Sequence, residues 1–476
     1  MNGFGMIYQM TLLGQGKRFR QGWDIFVNMR TNGKVRIRLW HEVLLVSFLS
    51  VSILSLWGCG KKPQDNMDMT KNVPIVEDNQ KVDGANDKEQ KSEVSDTEPV
   101  EPTGGVIVPE EISEEMLVDE DTIVDIESQV DEFLAKMTTQ EKVAQMFIVL
   151  PEAFIGVDTV TSAGEATKAA IDALPVGGLI YMEPNLQNTE QVRDMLSNLQ
   201  TYSQERIGLP MFTAIDEEGG VVARISGRDG FNVPPLGNMS EIGRSLDASR
   251  AIEVGDMMGQ YLSDMGFNVN FAPDADVLSN PDNSVVNKRS FGSNPKVVTD
   301  MTMSVAQGLQ AHGVCATYKH FPGHGATTGD THDGYAYTDK SLAELQTCEL
   351  IPFERAITDE IPFIMVGHIS APNIIGDNTP STLSYTMITE ILRNNMGYEG
   401  IVITDAMNMG AIVQSYSSGE AAVKTIKAGT DIVLMPADFH SAYQGVLAAV
   451  ADGTISIERI DESVRRILKV KLELMK

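Results

Sequence analysis

Eight short apolar runs recur between residues 144 and 435, and most of the segments between them read as amphipathic helices. The runs are 144–150, 178–182, 211–215, 268–272, 314–318, 362–366, 401–404 and 431–435. They are largely apolar throughout rather than alternating, which is the pattern of parallel strands covered on both faces. Strands that alternate with helices point to a parallel sheet, and eight of them in about 350 residues make a closed barrel. The expected fold class is α/β: a (β/α) eight-stranded TIM-type barrel in a single domain.

Helix signals support the alternation. Thr139 opens one helix with Glu141 in its first turn, and Thr189 opens 190–205. Ser341, with Glu344 three residues on, is a capping box. The stretch 238–265 is apolar at helical spacing up to Gly266, and 457–475 reads as a closing helix.

In a barrel of this kind, reacting groups come from the C-terminal ends of several strands. After 211–215 stand Asp216, Glu217 and Glu218 with two glycines, and Arg224 lies downstream. After 268–272 come Asp274 and Asp276, then Arg289. Lys319 and His320 follow 314–318, His368 follows 362–366, and Asp405 follows 401–404. A single loop Asp or Arg is more often a solvated charge, but five strand ends in phase argue for a site. Carboxylates beside Lys, His and Arg suit a polyhydroxylated ligand, whose adjacent hydroxyls need both donors and acceptors. No Walker-type loop or dinucleotide fingerprint stands at the right place.

The densest signal is Lys319-His320-Phe321-Pro322-Gly323-His324-Gly325, followed by Asp330-Thr331-His332. Three of the seven histidines fall within thirteen residues here. The Pro-Gly pair stops the strand, and Gly325 and Gly329 are expected to keep the loop backbone loose. The spacing matches no helical zinc pattern and no Cys is near, so no metal is expected. For His324, between two glycines, a role in pinning the loop is as reasonable as a role in chemistry.

This motif resembles glycoside hydrolase family 3, in its single-domain, NagZ-type β-N-acetylglucosaminidase branch. The resemblance covers roughly residues 138–468. It implies that Asp405, in Val402-Ile-Thr-Asp405-Ala-Met-Asn-Met, is the nucleophile. It implies that His332 is the general acid/base and Asp330 its partner. Asp216 and Arg224, in Asp216-Glu-Glu-Gly-Gly-Val-Val-Ala-Arg224, would contact the sugar. Arg289 in Arg-Ser-Phe-Gly would be a second substrate arginine, and Lys319 and His320 would bind sugar hydroxyls. Two departures stand out: many relatives carry a second Asp where this chain has Ala406, and an Asp where it has Ala326. The first leaves Asp405 as the sole candidate nucleophile in that motif. The second bears on how the loop closes.

The function so implied is an exo-acting, retaining β-N-acetylhexosaminidase, with no metal or organic cofactor. Its partner would be a carbohydrate containing N-acetylglucosamine, such as a cell-wall fragment. Other readings stay open: a β-glucosidase or xylosidase of the same family, a phosphorylase, or a non-catalytic sugar-binding lipoprotein. The last would need none of Asp330, His332 and Asp405. The second domain found in many family members would have no room after residue 476, so all catalytic groups are expected from the barrel.

The N-terminal part reads differently. Residues 34–38 are basic, 43–57 are apolar, and Cys59 follows Gly58. An apolar run of about fifteen residues is short for a membrane span and suits a secretory signal. A Cys just after the cut of such a signal resembles the bacterial lipoprotein signal, which implies that residues 1–59 are a leader and lipoprotein-type signal peptide, with Met29 a conventional start and Cys59 the lipidated residue. Residues 60–125 are rich in Asp, Glu, Lys, Asn, Ser and Pro, which predicts a disordered acidic spacer before a catalytic barrel at 126–476. The protein is expected to be exported, anchored by lipid to the outer face of the cell membrane, and monomeric. A net charge of −29 and a pI near 4.6 argue against nucleic-acid binding. Three cysteines make no disulfide framework. Cys315 and Cys348 are expected to be buried structural thiols, the latter in the helix beginning near Ser341.

Overall fold

All eight expected strands form. They are β1 Phe147–Val149, β2 Gly178–Ile180, β3 Phe212–Ile215, β4 Val269–Asn270, β5 Cys315–Phe321, β6 Phe363–Val366, β7 Ile401–Thr404 and β8 Val433–Leu434. The computed structural model describes residues 120–476 apart from 333 and 335. The leader, Cys59 and the expected spacer up to residue 119 lie outside the described residues. Among the described residues no helix is long and apolar enough to cross a membrane.

The strands are parallel and follow the order β8-β1-β2-β3-β4-β5-β6-β7. Phe147 pairs with Val433 and Phe363 with Ile401. A parallel bridge between Ile403 and Ile432 joins the two ends, and the Thr404 N–H donates to the Ile432 carbonyl at 3.1 Å. The sheet is thus closed into a barrel with no free edge. Its strand residues are all buried, which explains the unbroken apolar runs. Within the core, Phe212 and Phe363 meet edge-to-face with ring centres 5.4 Å apart.

The helices start where the capping residues stand. Thr138 and Glu141 form a reciprocal capping box for Thr139–Gln145, and Ser341 and Glu344 another for Leu342–Gln346. Asn188 caps Thr189–Ile207, and Ser456 caps the closing helix Ile457–Glu473. The first apolar run loses its beginning to a helix, because Ala144 and Gln145 complete the helix opened at Thr138.

Three local expectations are corrected. The stretch 238–265 is two helices, Met239–Ser245 and Ala248–Met265. Leu246 adopts a left-handed conformation (φ 55°), and the Asp247 side chain accepts from the Ser249 N–H to start the second helix. Cys348 lies just beyond Leu342–Gln346 and is only half-buried, whereas Cys315 is buried; both are free thiols. The first described helix, Glu120–Lys136, begins six residues inside the stretch read as spacer and packs beside the closing helix.

Candidate active site

The C-terminal ends of β3, β4, β5 and β7 converge on one pocket of about 310 Å³. On one side two cations are held by shared carboxylates. Glu218 takes Arg289 in a fork-to-fork pair, Nε to Oε2 and Nη2 to Oε1, both at 2.8 Å. Lys319 Nζ lies 2.6 Å from Glu218 Oε1 and 2.6 Å from Asp216 Oδ1. Burial alone would push the Glu218 carboxyl up, but Arg289 and Lys319 hold it well below the usual carboxylate range. The Glu218 side chain is 1% exposed and that of Asp216 is 23% exposed, so Glu218 positions the cations and Asp216 is the carboxylate open to a ligand.

Asp276 organises the turn after β5. Its Oδ2 lies 2.8 Å from His320 Nδ1, and its Oδ1 accepts the backbone N–H groups of His320 and His324. His320 Nε2 is thereby turned to the pocket beside Arg289 Nη2, at 3.3 Å. His324 is buried, with Nδ1 3.0 Å from the Thr327 hydroxyl and Nε2 3.4 Å from that of Thr331. Burial, with His320 nearby, pushes its imidazole down to about 4, so it stays neutral and pins the loop. Gly325 does not loosen this backbone. A Cβ there would lie 2.1 Å from the Val277 carbonyl oxygen, so the residue is glycine because two chain segments touch.

Asp405 directly follows β7 and lines the floor of the pocket. Its Oδ1 accepts the Ala406 N–H at 2.8 Å. Burial opposes its ionisation, but His368, His320, the Ala406 N–H and Lys319 more than offset this, and its carboxyl lies below the usual range. Behind it, His368 is fully buried, with Nδ1 2.7 Å from the Thr382 hydroxyl and Nε2 2.9 Å from the Ala406 carbonyl oxygen.

His332 reaches the pocket from the loop after β5. Its Nδ1 lies 2.7 Å from Asp330 Oδ1, which also accepts the His332 backbone N–H at 2.9 Å. The His332 side chain is 65% exposed, so its ring stands at the rim. The loop is tied down at both flanks. Ala336–Tyr337 pairs with Ile369–Ser370, and the carbonyls of Thr331 and His332 accept from Ala411 and Gly410.

Asp216, Arg224, Arg289, Lys319, His320, His332 and Asp405 all line this one pocket. Asp330 does not line it; it stands behind His332, in an adjoining cleft with Asn280 and Thr328. Sequence reasoning did not single out Glu218, Asp276 or His368 as site residues, although each stood among the strand-end groups. The signal for Glu218 was its place in Asp216-x-Glu218-Gly-Gly; the other two act through neighbours. Asp274, Asp276 and His320 bring potential ligand atoms within 4.8 Å of one another. The Arg289 guanidinium already supplies positive charge there, 3.4 Å from Asp274 Oδ2, and His320 Nδ1 is committed to Asp276. Burial and the neighbouring Asp276 push the Asp274 carboxyl well up, towards its protonated form. The cluster reads as a charge-balanced network rather than a metal site.

A pocket of this kind can hold a sugar ring against a carboxylate floor, with a titratable imidazole at the rim. The sequence model of the glycosyl hydrolase family 3 N-terminal domain matches residues 138–470. The chain belongs to glycoside hydrolase family 3. It is 36% identical over 328 residues to a β-hexosaminidase A of Pseudoalteromonas piscicida, spanning 64% of this chain and 54% of that protein. It is 33% identical to the β-hexosaminidase LpqI of Mycobacterium tuberculosis, spanning 55% of this chain and 68% of the relative. Among solved structures, a family 3 β-N-acetylglucosaminidase from Paenibacillus sp. superposes with a TM-score of 0.67 at 35% identity, over 71% of this chain and 63% of that one. The chain thus spans only about half of the first of these relatives.

Proposed function

We propose that this family 3 chain is an exo-acting, retaining β-N-acetylhexosaminidase that releases terminal β-linked N-acetylglucosamine from cell-wall fragments or amino-sugar glycans. The observation that carries the reading is the joint placement of Asp405 and His332 on one pocket, with Asp330 Oδ1 2.7 Å from His332 Nδ1. Asp405 attacks the anomeric carbon while the glycosidic C–O bond breaks, and a covalent glycosyl-enzyme forms. Asp330 accepts from Nδ1–H, which fixes the tautomer and leaves Nε2 as the proton carrier. Protonated His332 gives its Nε2 proton to the leaving oxygen. Neutral His332 then takes a proton from the water that releases the sugar. Asp216, Arg224, Arg289, Lys319 and His320 hold the sugar hydroxyls.

The names of the relatives support an amino sugar as substrate. The basic and apolar stretch before Cys59 supports export and lipid anchoring. A screen of nitrophenyl β-glycosides of N-acetylglucosamine, glucose and xylose, with and without phosphate, tests the activity. Turnover of the N-acetylglucosaminide with retained configuration, independent of phosphate, is expected. Preference for glucoside or xyloside, or strict dependence on phosphate, overturns the hydrolase reading.

A further inference from the structure

The pocket is divided by chemistry along the barrel wall. Its paired charges come from the ends of β3, β4 and β5: Asp216 and Glu218, Arg289, and Lys319. Apart from Asp405 and Asn408 after β7, the rest of the ring contributes mainly apolar side chains. Met182 follows β2, Met409 follows β7, Leu434 ends β8 and Met435 follows it, with Met365 contributed by β6. Among the described residues lining the pocket there is no Trp, Tyr or Phe. A flat aromatic ring is the usual way to cover the C–H face of a sugar; here the thioethers occupy the apolar side instead. A thioether is flexible and polarisable, and it moulds to an irregular apolar surface.

Met435 shows that this placement is imposed. Its φ is +47°, in the left-handed region that a residue with a long side chain seldom adopts. Its N–H is fixed to the Ile148 carbonyl at 2.9 Å. A non-glycine residue held there beside a candidate active site points to a requirement for its side chain.

We propose that Met182, Met409 and Met435 form the apolar half of the sugar subsite, against the C–H face and acyl methyl of a bound 2-acylamino sugar, and that they make the enzyme sensitive to oxidants. The proposal rests on the reading of the pocket as a site for such sugars. A peroxide transfers one oxygen atom to the thioether sulfur. The sulfur gives up two electrons, the O–O bond breaks and water (or an alcohol) leaves. The resulting sulfoxide is polar and chiral and needs a hydrogen-bond partner that an apolar wall does not offer. It disfavours the sugar's apolar face, so the subsite loses affinity while the charged side stays intact.

The test is graded hydrogen peroxide treatment of the full chain, with and without saturating N-acetylglucosamine, followed by peptide mass spectrometry. Met257 and Met475, 38% and 50% exposed, serve as surface references. The expected result is that the sugar slows sulfoxide formation several-fold at Met182, Met409 and Met435 and leaves Met257 and Met475 unchanged. In the same samples KM should rise as pocket methionines oxidise, with kcat falling less, and methionine sulfoxide reductases should reverse the change. A variant with all three replaced by Leu, whatever its starting rate, should keep most of that rate after peroxide. Absence of protection by the sugar overturns the proposal, as does inactivation of the Leu variant as fast as the parent. An enzyme that turns over no N-acetylglucosaminide refutes the functional reading instead, and the protection measurement still decides the methionine assignment because it needs no turnover.

Discussion

The backbone carbonyl of His332 accepts a hydrogen bond from the N–H of Gly410, at 3.2 Å. Gly410 opens the short helix Gly410–Val413, which follows the strand Ile401–Thr404 and Asp405 just beyond it. The first N–H groups of a helix have no partner within it. Here Gly410 and Ala411 give theirs to the carbonyls of His332 and Thr331, so the loop bearing the candidate acid/base is docked on the segment that follows the candidate nucleophile.

The dyad makes a prediction that separates chemistry from folding. His332→Ala and Asp330→Asn should both slow natural glycans far more than nitrophenyl substrates, because a good leaving group hardly needs a proton. Acid/base help of this kind is worth roughly 10²–10⁴ in rate. Steady-state kinetics on two aglycones checks it. Equal losses on good and poor leaving groups would show that His332 is not the proton donor.

Glu218 should matter as much as the residues that face the ligand. Glu218→Gln keeps the shape but leaves Asp216 as the carboxylate paired with Lys319 and removes the fork-to-fork partner of Arg289. Breaking a buried ion pair costs about 3–5 kcal/mol. A fall in thermal midpoint together with a rise in KM is expected. A variant with unchanged stability and KM would show that the network does not hold the site.

The barrel was legible because its strands are covered on both faces and therefore read as unbroken apolar runs. The site was legible where a residue lines the pocket from its own strand end, as with Asp216, Lys319 and Asp405. It was less so where a residue acts across strands. Asp276 fixes His320 and His324 from the neighbouring strand end, and nothing in its local sequence says so. Gly325 looked like a source of looseness, since close approach by Val277 is a tertiary fact. The break at Leu246 was hidden because apolar spacing continues on both sides of it. The pocket methionines were hidden for the same reason: an apolar residue at a strand end looks like core.

Stability should carry a signature of Lys471. This residue of the closing helix is fully buried, with Nζ 2.8 Å from Gln145 Oε1 and 5.0 Å from the centre of the Phe212 ring. No ion pair to it forms among the described residues, and burial pushes its ammonium down to about 7 from an ordinary 10.5. Between those values the unfolded chain holds a proton that the folded chain lacks. Its contribution to folding therefore becomes more favourable as pH rises from about 7 towards 10.5, and is flat below. The difference in unfolding free energy between parent and Lys471→Met, followed across that window, should move in the parent's favour. A difference that is constant with pH would mean Lys471 is charged in the folded protein.

We propose that Cys59 anchors the protein by acylation. Cys59→Ser should release it from membranes or leave it unprocessed, without loss of turnover. One acyl chain binds a membrane only marginally, so stable anchoring implies more than one. Fractionation and intact-mass measurement check this, and unchanged processing and extraction of the variant would count against lipidation.

Retention of configuration requires a covalent intermediate on Asp405. The most direct measurement is peptide mapping after trapping with a mechanism-based fluorosugar that forms the glycosyl-enzyme but releases it slowly. A single glycosyl label on Asp405 is expected, absent in Asp405→Ala, which should also have lost turnover. A label on Asp216, Glu217 or Glu218 instead, or full turnover by Asp405→Ala, would contradict it.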